Sequence, residues 1–374
     1  MRAVARFGFD RAELRDEDRA ALLAEVAPMK NVTWQTVVAV GYTDSVGGDE
    51  YNHALAARRA DGVRGWVSAV QGGSRARRGP PGLRSAPMRP RLDDPAWLDA
   101  QYNNRARVAD AMTLLAKWAE ASALARERST AKVLDLRYGD GAGETLDIFP
   151  AAAPNAPVLI YIHGGYWRSL DKSDFSFVAP SFVSDGAMVV VPNYALCPAV
   201  SIEDIALQMV KAVAWVWRHA AAHGGNPDRI ALVGHSAGAH LAAMLLSCRW
   251  KQVDEALPVQ PLTGALAISG LYDLEPVRRT EFLQGDLKLT TTQVNRLSPA
   301  FFPRPKGGKL YAVVGADESD EFIRHNQLIR DQWGPTAVPV CETVPGKNHF
   351  TVLESLADPQ GRLHDLALRL LELR

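Results

Sequence analysis

Residues 93–374 predict an α/β fold, a mostly parallel sheet with helices on both faces, and residues 1–71 predict a small α+β appendage ahead of it. Three observations carry this reading. Short apolar runs alternate with amphipathic stretches of helical period through the second region. Composition changes sharply at Gly72, where GGSRARRGPPGLRSAPMRPR begins, so 72–92 reads as a flexible Gly/Pro/Arg linker. The apolar run 229–233 meets Gly234-His235-Ser236-Ala237-Gly238 and then a helical stretch, which reads as strand, sharp turn and helix.

The elements follow in chain order. One long helix is predicted over about 95–126, where polar and apolar residues share a helical period. Strands are predicted at 133–137, 145–149, 158–162, 188–191, 229–233, 264–268, 310–314 and 338–343. Helices are predicted at 175–184, 202–223, 239–247, 321–333 and 359–373. Strands alternating with helices imply crossover connections and a parallel sheet, and such sheets bind ligands at the carboxyl ends of their strands.

Composition narrows the function classes. Lys+Arg and Asp+Glu are equal at 42 each, so no charge excess points to nucleic acid or an anionic membrane. Cys197, Cys248 and Cys341 lie far apart without C-x-x-C spacing, which implies neither a disulfide framework nor a zinc site. No metal or cofactor is expected. The N-terminal residues lack the apolar core of a signal peptide, and no stretch has the length of a membrane span, so the expected location is cytoplasmic. The expected partner is a small-molecule substrate, with room for a homodimer.

The turn at 234–238 is a G-x-S-x-G sequence between a strand and a helix, the setting of a nucleophile elbow. Its glycines permit a strained turn that holds the Ser236 hydroxyl out at the top of the sheet. A hydroxyl is a weak nucleophile at neutral pH and needs a base, an orienting acid and donors for the oxyanion. The base is expected to be His349, in a loop between the last strand and the last helix. His219 and His223 precede the serine on a helix, and His240, His325 and His364 sit on helical faces, where packed or surface roles are expected. The acid is expected just past strand 310–314, in Gly315-Ala316-Asp317-Glu318. An offset of three from the glycine selects Glu318, and Asp317 is the rival. Asp320 and Glu321 suit the first turn of the next helix.

Strand 158–162 runs into His163-Gly164-Gly165-Tyr166-Trp167. This is the place and type of an oxyanion loop, in which the N–H groups of Gly165 and Tyr166, with that of Ala237, face the developing charge.

At these residues the chain resembles the α/β-hydrolase superfamily, in the branch of kynurenine formamidase (arylformamidase) and related esterases. The resemblance covers about 93–374 and rests on HGGYW at 163–167, GHSAG at 234–238, GADESDEF at 315–322, GKNHF at 346–350 and PNYALCP at 192–198. It implies an α/β-hydrolase fold and hydrolysis of an N-formyl aryl amine, with a general carboxylesterase on short-chain esters as the alternative. It also supports Glu318. The implied substrate pocket includes His163, Gly164, Trp167 and His235 beside Tyr166.

Residues 1–71 are similar to the outer-membrane protein A-like peptidoglycan-binding domain, through VVAVGYTD at 37–44, Gly47, Asn52, Leu55 and RRA at 58–60. By motif, Asp44 and Arg59 match the pair that grips the diaminopimelate end of the peptide. The chain passes into the linker after Gln71, so the domain reads as truncated and peptidoglycan is not the expected partner. A peptidoglycan-binding protein remains the alternative of another class.

Overall fold

The computed structural model describes residues 90–141 and 143–374. Segment 1–71 and nearly all of linker 72–92 lie outside the described residues.

Eight strands form one sheet: β1 Val133–Arg137, β2 Thr145–Phe149, β3 Ala156–Ile162, β4 Met188–Pro192, β5 Gly225–His235, β6 Leu262–Ile268, β7 Lys309–Gly315 and β8 Val340–Val344. Their order is β1-β2-β4-β3-β5-β6-β7-β8. The β1/β2 and β2/β4 pairs are antiparallel and the others parallel. Strands β3, β4 and the end of β5 are buried on both faces, which explains their near-continuous apolar runs. Alternate residues feed the two apolar layers: Val158, Ile160 and Leu232 face one, and Leu159, Tyr161 and Val233 the other.

The helices that frame the site are α1 Pro95–Tyr102, α2 Ala111–Arg128, α3 Ile202–His219, α4 Ala237–Leu246, α5 Glu281–Leu287, α6 Asp320–Ala337 and α7 Arg362–Leu370. Ser201 and Asp204 form a capping box at the start of α3. The long helix expected over 95–126 is instead broken. Asn103 has non-helical backbone (ψ 75°), and its side chain accepts from Ala106 N, starting a separate turn at Asn104–Arg107. Val108 is then extended before α2 begins. An asparagine that caps a new turn overrides the helical period around it. The expected helix 359–373 is likewise shorter, as α7, and 175–184 holds one 3₁₀ turn, Ser176–Val178, before a helix at Ala179–Ser184. Segment 275–297, read without an element, forms three short helices that include α5. Among the described residues no helix is long and apolar enough to cross a membrane.

Candidate active site

Strand β5 ends at His235 and α4 begins at Ala237, so Ser236 is the entire turn. Its φ of 57° and ψ of −118° are strained for a residue with a side chain. The strain is held from outside, since Ser236 N donates to Ile268 O of β6 at 2.8 Å. A Cβ on Gly238 would lie 2.0 Å from Ile162 O, and one on Gly234 would lie 2.2 Å from Gly238 O. Gly238 is therefore required for the helix start to pass this close to β3, and Gly234 for the strand to fold back onto that helix start.

His349 and Glu318 meet on loops at the carboxyl ends of β8 and β7. Glu318 Oε2 accepts from His349 Nδ1 at 2.6 Å. Its Oε1 accepts from Ser269 Oγ at 2.5 Å and from Gly315 N at 2.8 Å. The carboxylate is fully buried with three donors, while the rival Asp317 is exposed. A carboxylate so placed favours the tautomer of His349 with the proton on Nδ1, leaving the Nε2 lone pair available to accept a hydrogen bond. Among the described residues Ser236 and His349 share no hydrogen bond within 3.5 Å, although both line one cavity; such bonds often tighten only with substrate bound. Ser269 was not picked out from the sequence. It lies one residue past β6, at the level where ligands bind, and that position was the available signal.

The HGGYW segment turns sharply after β3. Gly165 has φ +109°, and a Cβ there would lie 2.1 Å from Ser169 O. Arg168 N and Ser169 N donate back to Gly165 O, closing the turn. Among the described residues the N–H groups of Gly165, Tyr166 and Ala237 donate to no protein acceptor. From behind, Tyr194 OH donates to His163 O at 2.9 Å, and Asn193 Oδ1 lies 3.2 Å from His163 Nε2. The Asn193-Tyr194 pair thus supports this loop.

The cavity beside Ser236 measures about 60 Å³, and its wall includes Gly165, Tyr166, Trp118, Phe350 and His349. His235 lines it too, as expected, but mainly as a support. Its Nε2 lies 2.9 Å from His349 O, and burial, then His349, holds its pKa well below the usual histidine value. His163, Gly164 and Trp167 depart from the expectation and are not in the wall. His163 is stacked between Phe175 and Tyr194, with centroids 5.5 and 4.2 Å away. Trp167 is fully buried edge-on to His240. Gly164 sits beneath the elbow, where a Cβ would approach His235 O at 2.8 Å. Trp118 of α2 supplies an aromatic wall that the sequence reading did not single out, because α2 precedes the sheet. Asp44 and Arg59 lie outside the described residues.

Known proteins share this fold and stretches of this sequence. A BD-FAE family model matches residues 146–265, and an OmpA family model matches residues 6–77. Kynurenine formamidase of Danio rerio is 33% identical over 255 residues, 66% of this chain and 84% of that protein. The crystal structure of a proposed thioesterase from Silicibacter sp. TM1040 is 31% identical, with a TM-score of 0.63 over 71% of this chain and 97% of that one. A hyperthermophilic esterase from the archaeon Pyrobaculum calidifontis shares the fold at 18% identity, with a TM-score of 0.55 over 70% of this chain and 92% of that one.

Proposed function

The chain belongs to the kynurenine formamidase family of α/β-hydrolases, and is thus an enzyme that hydrolyses a formamide or an ester; from that premise we propose that it cleaves a small aryl formamide through an acyl-enzyme on Ser236. The observation that carries the mechanism is the 2.6 Å contact of Glu318 with His349, in one cavity with Ser236.

In the proposed sequence His349 Nε2 takes the Ser236 proton as Oγ attacks the formyl carbon. The oxyanion accepts from the N–H groups of Gly165, Tyr166 and Ala237. Each such donor contributes on the order of 3 kcal/mol to the barrier reduction. The C–N bond then breaks, His349 passes its proton to the aryl amine nitrogen, and the formyl group remains on Ser236. Water, deprotonated by His349, attacks the formyl carbon, and formate leaves as the proton returns to Ser236 Oγ.

The small cavity supports a formyl or other short acyl group. Its volume of about 60 Å³ is well under the roughly 150 Å³ of an engineered cavity that binds benzene. The aryl leaving group then lies toward the mouth, against Trp118, Phe282 and Phe350.

Two experiments test the reading. Ser236→Ala is expected to abolish turnover while the far-ultraviolet circular dichroism stays unchanged; retained turnover refutes the mechanism. Comparison of kcat/KM for N-formylkynurenine and for a short-chain aryl ester tests the substrate. An ester preference of several orders of magnitude replaces the formamide reading with a carboxylesterase one.

A further inference from the structure

The acyl-transfer groups account for the floor of the cavity but not for its polar rim. Arg105, exposed on one side, contributes to the wall, and its Nη2 donates to Ser169 Oγ at 3.2 Å. Among the described residues no carboxylate pairs with it. The other cation of the wall, Arg168, is already engaged. It pairs with Asp286 and donates to Phe282 O at 3.0 Å, with its guanidinium 5.5 Å from the Phe282 ring. Partial burial, and next the Arg168 charge, lower the pKa of Arg105, so the two guanidinium groups act on each other at this rim. Beside Arg105, the wall residue Asn104 is buried, and its Nδ2 has no acceptor among the described residues.

Two like charges at the mouth of an aromatic cavity, one without a counter-ion among the described residues, with an Asn104 Nδ2 that finds no acceptor among them, make an arrangement that an anion completes. A planar carboxylate matches the fork of a guanidinium and accepts two parallel hydrogen bonds from it.

We propose that Arg105, seconded by Asn104, is a specificity determinant that reads a carboxylate on the leaving-group side of the substrate. The enzyme then favours aryl acyl substrates that carry a carboxylate over neutral ones of the same shape. This rests on the reading of Ser236 as the nucleophile of the same cavity. It assigns a function to the turn Asn104–Arg107, which lies ahead of the sheet and outside the acyl-transfer motifs.

The test is a matched pair of aryl acetates, phenyl acetate and its ring-carboxymethylated analogue, given to the wild type, Arg105→Ala and Arg105→Lys. The wild type is expected to prefer the anionic ester by about tenfold to hundredfold in kcat/KM, the range of one charge-assisted contact. Arg105→Ala is expected to erase that preference, chiefly through KM, and Arg105→Lys to restore part of it. The preference is also expected to weaken in about 0.5 M salt, where charges at a solvent-facing rim are screened. A wild type indifferent to the carboxylate overturns the proposal, as does a preference unchanged in Arg105→Ala. If the wild type cleaves neither ester, calorimetric binding of phenylacetate decides the subsite on its own, while turnover of a formamide by Ser236→Ala remains the test of the nucleophile. Binding by the wild type that Arg105→Ala loses supports the subsite; equal binding, or none, overturns it.

Discussion

His235 Nε2 stands 2.9 Å from the backbone carbonyl oxygen of His349, and the two imidazoles lie 4.8 Å apart between centroids. A carbonyl only accepts, so His235 donates through Nε2–H. The residue just before Ser236 thereby anchors the loop that carries His349, the proposed base. His235→Leu is expected to leave that carbonyl unpaired, which costs about 1–3 kcal/mol of stability. The same change should lower kcat more than KM, because the base loses its position. His235→Gln, which keeps a donor, should recover part of both. Urea denaturation and steady-state kinetics on the pair check this; equal kcat in the leucine and glutamine variants would show that the hydrogen bond does not matter.

Glu318 and Asp317 are neighbours in sequence but not in environment, one buried with three donors and the other exposed. Glu318→Gln is expected to reduce kcat by about 10⁴-fold, as loss of the orienting carboxylate does in comparable triads. Asp317→Asn should leave kcat near that of the wild type. The reverse ranking in a kcat comparison would make Asp317 the acid.

The turn at Gly165 leaves no room for a side chain, since a Cβ would meet Ser169 O at 2.1 Å and φ is +109°. Gly165→Ala is expected to shift the N–H groups of Gly165 and Tyr166 and to lower kcat by about 10²–10³-fold, the range for losing an oxyanion donor. Circular dichroism should be unaltered, because the turn lies outside the strands. Wild-type kcat in this variant would remove these N–H groups from the mechanism.

Four buried histidines have lowered pKa values: His163, His235, His240 and His325, each chiefly through burial. Burial holds His240 down to about 4 and keeps His235 and His325 well below the usual value of 6.5. His325 Nδ1 accepts from Tyr272 N at 3.0 Å, a bond that protonation would break. A lowered folded pKa means that the unfolded chain binds the extra protons. Stability is therefore fully present above pH 6.5 and falls as pH drops through 6.5 toward about 4. With four such groups the slope should reach up to about 5 kcal/mol per pH unit. Urea titrations between neutrality and mild acid measure it; a flat profile would mean that the histidines take up protons in the folded state.

The strands were legible because burial on both faces of the sheet writes itself into apolar runs, as in Val158–Ile162 and Met188–Val191. The elbow and the oxyanion turn were legible because only glycine fits at Gly165, Gly234 and Gly238. Less was legible where the outcome depends on contacts distant in sequence. The break in 95–126 is different in kind: Asn103 caps Ala106 N only three residues on, a local signal that the helical period around it outweighed. His163 and Trp167 sit in a motif beside the cavity, yet stacking on Phe175, Tyr194 and His240 draws their rings into the core. Ser269 becomes a partner of Glu318 only once β6 and β7 lie side by side.

The side chain of Tyr166 reaches back to the carbonyl oxygen of Tyr102, and Tyr102 OH donates to Glu321, 219 residues further along the chain. The cavity wall that bears Asn104 and Arg105 is thus tied to the helix that follows the loop of Glu318. During refolding the sheet can pair strand by strand while this seam is still open. Recovery of turnover is then expected to lag behind recovery of secondary structure, which makes catalysis a clock for the slowest long-range closure in the domain.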